Sequence, residues 1–119
     1  MKSFLASSLV FAMICVGGGS LVRQAPEKAS AKSNPYEGDE SARKAGEKLY
    51  RQECASCHGA DRQGWKKAPP LNRPDIEKAP AGALFWALRN GAPFHGMPSF
   101  AHLPDEQKWE IVTFLRVRQ

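Results

Sequence analysis

Cys54-Ala55-Ser56-Cys57-His58 constrains this chain more than any other stretch. Two thiols three positions apart, followed at once by an imidazole, form the attachment signature of c-type haem. The thiols can reach the two vinyl groups of one porphyrin, and the next residue sets an imidazole nitrogen over the iron as an axial ligand. A zinc site would need a second ligand pair at matching spacing. The chain has no other Cys pair and no His-x₃₋₅-His. A thioredoxin-type Cys-x-x-Cys belongs in a βαβ pattern, and none is present. A chain that carries haem in this way needs little apolar core of its own, because the cofactor supplies it.

The chain divides into three parts. Residues 1–22 read as a signal peptide or membrane anchor: Lys2 precedes a run from Phe4 to Val22 without a charge, close to the length of a spanning helix. A retained anchor, a cleaved signal and lipidation at Cys15 all fit the run. Ala29-Ser30-Ala31 has the small-x-small form of a cleavage site but lies far from the apolar stretch. Residues 23–40 are mainly small and polar, which predicts a flexible linker with too little apolar surface to fold. Residues 41–119 form the haem domain.

Within that domain the pattern is helical, which makes the fold all-α, with three to four helices around one haem. Over Ser41–Glu53, Ala42, Ala45, Gly46, Leu49 and Tyr50 gather on one face, and Arg43, Lys44, Glu47, Lys48 and Arg51 take the other. Ser41 or Asp39 can cap the start. Gly46 lowers helix stability by about 1 kcal/mol relative to Ala, a cost that a close crossing with another helix explains. Ala81–Asn90 is a short helix that ends at Gly91. Leu103–Arg118 is the last, with Pro104 at its first position and an apolar arc of Ile111, Val112, Phe114 and Leu115. Phe114 is the expected partner of Gly46.

Three segments supply further site residues. A haem-ligating His donates its second ring N–H to a fixed acceptor, and the carbonyl of Pro70 in Ala68-Pro69-Pro70-Leu71 suits that role, with Leu71 packing on the haem face. A proline loop without such a role would read the same. Trp86, Arg89 and Asn90 are donors for the haem propionates, ordinary packing for Trp86 and solvent exposure for Arg89 being the plainer alternatives. In Gly96-Met97-Pro98 a thioether sits in a rigid loop, soft and neutral as the sixth iron ligand requires. His95 and His102 are the alternatives to Met97.

The order of these features resembles a class I monohaem cytochrome c. Gly46 and Tyr50, Cys54 to His58, Pro70-Leu71, Gly96-Met97-Pro98 and the aromatic last helix follow that family's sequence. The short separation of His58 from Met97 is similar to the bacterial type, and Leu84-Phe85-Trp86 through Met97-Pro98 is similar to haem subunits of terminal oxidases and haem domains attached to dehydrogenases. The resemblance implies one covalent haem c with His58 and Met97 on the iron. It also implies one-electron transfer without a small-molecule substrate, and therefore no enzyme activity of its own. A subunit of a larger oxidase or dehydrogenase complex is the second reading, and an open-iron peroxidase or gas sensor the third. The compartment implied is periplasmic, with membrane association through residues 1–22. The net charge of +5 and the run of Arg51, Arg62, Lys66, Lys67 and Arg73 predict a basic rim that steers acidic redox proteins. No aromatic–basic motif accompanies the charge, so a nucleic-acid partner is not expected.

Overall fold

The computed structural model describes residues 20–66 and 68–117. The apolar run at the amino terminus lies almost wholly outside the described residues. Among the described residues no helix is long and apolar enough to cross a membrane.

The described chain is helical, with the elements α1 Glu27–Ser30, α2 Glu40–Glu53, α3 Ala55–His58, α4 Pro74–Glu77, α5 Ala81–Asn90 and α6 Asp105–Leu115. Two 3₁₀ turns, Leu21–Gln24 and Pro93–His95, complete it. In place of strands there are two isolated antiparallel bridges, Trp65 with Ala68 and Ala92 with Met97.

α2 begins where Asp39 accepts the Ala42 amide at 3.0 Å, the ordinary N-cap bond. That bond, and a second from the Ser41 hydroxyl, hold the Asp39 carboxyl below its usual range. Ala42, Gly46 and Tyr50 recur every four residues and are buried on one stripe. Their partner is α6, whose Ile111, Val112, Phe114 and Leu115 close the core. A Cβ on Gly46 would run into the Glu110 carbonyl and lie 3.0 Å from Phe114 Cβ. Tyr50 and Phe114 meet one turn along, ring centroids 5.3 Å apart. The crossing expected of Gly46 is therefore a backbone-to-backbone approach, with Phe114 at its edge. α6 itself starts at Asp105, with Pro104 as the extended residue before the first turn.

Residues 23–40 are not a loose linker. The 3₁₀ turn and α1 both pack on α5, and a Cβ on Gly82 would strike the Ala29 carbonyl and stand 2.9 Å from that of Lys32. Val22 joins the rim of the core. Asn34 is buried and donates to Thr113 Oγ1 at 2.8 Å, while its own Oδ1 accepts the Tyr36 amide at 2.9 Å. Glu37 then pairs with Arg116 at 2.6 Å. The segment holds on through small residues and backbone contact rather than large side chains. α5, covered on both sides, is accordingly buried at seven of its ten positions and reads apolar almost all round. Asn34→Ala removes a buried donor and acceptor together, at about 1–2 kcal/mol. A melting midpoint several degrees below wild type is expected; an unchanged midpoint would mean the segment is not clasped.

Candidate haem site

α2 delivers the cysteines. Its cap residue Cys54 donates its amide to Tyr50 O at 2.8 Å, and α3 follows as one turn in which His58 N reaches Cys54 O at 2.9 Å. Cys54 and Cys57 thus stand at either end of a single helical turn, with His58 next in line. Gly59 ends the turn at φ +87°, a backbone state open to glycine and few others. The Gly59 carbonyl accepts the Tyr50 hydroxyl at 2.7 Å, which ties the turn back to the α2–α6 crossing. Burial pushes the Tyr50 hydroxyl up to about 12, so it remains a donor. Cys54 is half-buried against the core, whereas Cys57 is exposed. Burial first, with Glu53 and Cys57 adding to it, pushes the Cys54 thiol up to about 12. It is a neutral thiol at ordinary pH.

His58 Nδ1 lies 2.8 Å from the carbonyl of Pro69. A carbonyl only accepts, so Nδ1 carries the proton and Nε2 keeps its lone pair for a metal. The expected acceptor was Pro70, and the position is one residue earlier. The loop between them sets this register. Gly64 N donates to His58 O at 2.7 Å, Trp65 and Ala68 exchange two backbone bonds at 3.1 and 3.0 Å, and Leu71 N returns to Arg62 O at 2.8 Å. With both ends pinned, Pro69 is the residue whose carbonyl meets the ring. Leu71 is half-buried at the margin of the core.

The Met97 loop is closed in the same manner. Ala92 N donates to Met97 O at 3.0 Å and Met97 N to Ala92 O at 3.1 Å, around the Pro93–His95 turn. Gly96 takes the left-handed conformation at φ +84°. Phe100 N ties the exit of the loop to Leu88 O of α5 at 2.8 Å. Met97 packs against the core, while His95 is exposed. Trp86 is half-buried and Arg89 exposed. Asn90 is exposed and donates one amide hydrogen to the Trp86 carbonyl at 2.8 Å, at the end of the helix.

Two buried cations escape a reading of the sequence. Arg62, expected in a basic rim, has no exposed surface, and its guanidinium donates to the α6-terminal carbonyls of Leu115 and Val117, each at 3.1 Å. Lys108 is buried beside Phe85, its ammonium 4.9 Å from the ring centroid, and pairs with Asp105 at 3.1 Å. Phe85 in turn stacks on Trp109 at 4.2 Å. The rim itself thins out. Arg51 pairs with Glu47 at 2.8 Å and Arg73 with Asp75 at 3.1 Å, and Lys67 lies outside the described residues.

The donor set fits haem c: a thiol pair on one turn, an imidazole with its tautomer fixed, and a thioether in a pinned loop. The family described as cytochrome c oxidase, cbb3-type, subunit III, matches residues 41–115. The chain belongs to this family of cytochrome c domains. It is therefore a haem-binding, electron-transfer domain, and its cofactor class is haem c. Among curated proteins it is 37% identical over 78 residues to a thiosulfate dehydrogenase of Allochromatium vinosum, a match that takes in 59% of this chain and 29% of that protein. Among solved structures it is similar to cytochrome cL of Methylophaga aminisulfidivorans, with 30% identity, a TM-score of 0.58, and coverage of 71% of this chain and 57% of that one. Cytochrome cL of Hyphomicrobium denitrificans shares the fold, with 21% identity, a TM-score of 0.60, and coverage of 82% and 66%. The cytochrome c domain spans less than two thirds of each of these relatives.

Proposed function

We propose that this cytochrome c domain is a one-electron carrier with a single covalent haem, held by Cys54 and Cys57 and ligated by His58 and Met97. The observation that carries the reading is the His58 ring, fixed by Pro69 at the end of the same turn that bears both cysteines. When bound, such a haem supplies a ferrous–ferric couple whose potential Met ligation raises. The chain's residues do the rest. Pro69 holds the proton on His58 Nδ1, the Ala92–Met97 bridge fixes the thioether, and Tyr50 anchors the haem-bearing turn to the core. With His58 and Met97 both on the iron, no position would remain there for a substrate, and the domain would be a carrier without enzyme activity of its own. Its working place is the outer, periplasmic face of an energy-transducing membrane, between respiratory or dehydrogenase partners.

A subunit or domain of a larger oxidase or dehydrogenase complex is the second reading. Two observations favour it: the matching family's description as an oxidase subunit, and the thiosulfate dehydrogenase relative of which this chain spans 29%. Isolation at native expression separates the two readings, because a subunit travels with its complex.

Haem that stays with the protein through acidic acetone is the expected sign of covalent attachment; haem released into the solvent would refute it. Met97→Ala is expected to abolish the weak red band of ferric Met-ligated haem and to open the ferrous iron to carbon monoxide. If His95→Ala does both and Met97→Ala does neither, the sixth ligand is His95.

A further inference from the structure

The chain that follows Met97 is tied to the carboxyl end of α5 residue by residue. Helix-terminal carbonyls lack a partner inside the helix, and two consecutive ones of α5 find theirs here. The Ser99 hydroxyl donates to Arg89 O at 2.5 Å, and Phe100 N donates to Leu88 O at 2.8 Å. The same hydroxyl accepts the Ala101 amide at 3.2 Å, so both of its roles are filled. Phe100 is buried in the core, which anchors the far end of the segment.

Between Met97 and Ser99, Pro98 lies directly on Gly91. Gly91 holds φ +63° and ψ −168°, a region left almost entirely to glycine. A Cβ there would stand 2.5 Å from Pro98 O, 2.6 Å from the Pro98 carbonyl carbon and 2.8 Å from Ser99 N. The two stretches of chain therefore touch backbone to backbone. Met97 meets Ala92, Pro98 meets Gly91, Ser99 meets Arg89 and Phe100 meets Leu88. Three of these four contacts use main-chain atoms alone. Ser99 is the exception, since its tie is made by a side chain. A serine buries little apolar surface, so what it brings to the loop is the hydroxyl.

We propose that Ser99 is a positioning residue for the sixth iron ligand, its hydroxyl locking the chain behind Met97 to the end of α5. The proposal rests on the reading of Met97 as that ligand. The Ala92 bridge closes the loop on one side of the thioether, and the Ser99 tie holds the other. Imidazole is a good ligand for iron, so added imidazole competes with the thioether to the extent that the loop lets Met97 go. Without the hydroxyl the released loop gains on the docked one by one hydrogen bond, a factor on the order of tenfold.

The test titrates imidazole into the full-length ferric holoprotein as wild type, Ser99→Ala, Ser99→Thr and Met97→Ala, following the weak red band and the haem spectrum. Ser99→Ala should take up imidazole on the order of tenfold more tightly than wild type, and Ser99→Thr, which restores the hydroxyl, should return to the wild-type affinity. Equal affinities in Ser99→Ala and wild type overturn the proposal, even where the melting midpoint falls, because the hydroxyl would then be a helix cap and no more. A Ser99→Thr protein that behaves as Ser99→Ala also overturns it, since the effect would not belong to the hydroxyl. Met97→Ala marks the affinity of an iron with no thioether. A wild-type protein that binds imidazole as tightly as Met97→Ala removes the Met97 reading, and the role of Ser99 with it.

Discussion

Gly46→Leu is expected to lower the melting midpoint by more than about 10 °C, and Gly46→Ala by less but in the same direction. The obstacle to any side chain at this position is the carbonyl of Glu110, with Phe114 Cβ 3.0 Å from the site of the added carbon. A flexible side chain could swing aside, but a helix backbone can yield only if α2 and α6 separate. Overpacking of a core costs about 1–3 kcal/mol or more, and each kcal/mol moves the midpoint of a domain this size by roughly 4–8 °C. Separation would also part Tyr50 from Phe114, now 5.3 Å apart, and strain the Tyr50 bond to Gly59. The haem-bearing turn would loosen with the crossing, so the spectrum of the holoprotein should broaden alongside the loss of stability. Lys44→Leu, on the exposed face of the same helix, serves as the control and should leave the midpoint within a few degrees. A Gly46→Leu protein as stable as wild type would mean that the helices do not meet there.

What the sequence disclosed, and what it concealed, follows from the range of each interaction. α5 is legible to the residue because its apolar run ends at an Asn-Gly pair, a local signal. The Gly46 crossing is legible because a glycine inside an amphipathic helix is anomalous without a close neighbour. The choice between Pro69 and Pro70 depends on the register of a turn in which Gly64 and Lys66 both take positive φ, and nothing in a proline pair reveals which carbonyl faces the ring. The segment before α2 reads as disordered since it lacks large apolar residues. Its actual hold is the reverse kind, with Ala29 and Lys32 carbonyls against Gly82 and a single buried amide on Asn34. Arg62 misleads most, because an arginine amid turn residues and basic neighbours looks solvated. Only the place where α6 ends, about fifty residues on, gives it a reason to be inside.

That reason makes Arg62→Met the second substitution with a large expected effect. The last carbonyls of a helix have no partner within it, and those of α6 end in buried surroundings. The Arg62 guanidinium fills the gap, donating to Phe114 O at 3.4 Å, Leu115 O at 3.1 Å and Val117 O at 3.1 Å, with the Phe114 ring 5.0 Å away. A cation at a helix carboxyl end is also favoured by the dipole. Burial draws the guanidinium pKa down, with Glu77 and Tyr50 acting the other way, yet arginine keeps its charge at any pH a protein tolerates. Methionine fills much of the same volume and offers no donor, so the Leu115 and Val117 carbonyls would lose this partner, while Phe114 O keeps the Val117 amide, at about 3 kcal/mol, roughly 10–20 °C in the midpoint. The backbone at position 62 complicates a plain deletion, since φ is +60° and a smaller residue could gain there what the side chain loses. Arg62→Gly isolates that term: glycine relaxes the backbone while removing the same donors, so it should fall between Arg62→Met and wild type. Because the Arg62 carbonyl also receives the Leu71 and Asn72 amides, the loop that presents Pro69 to His58 should exchange its amide hydrogens faster in Arg62→Met. If Arg62→Met matches wild type in both midpoint and exchange, the guanidinium contributes nothing to closing α6, and water satisfies the carbonyls in its place.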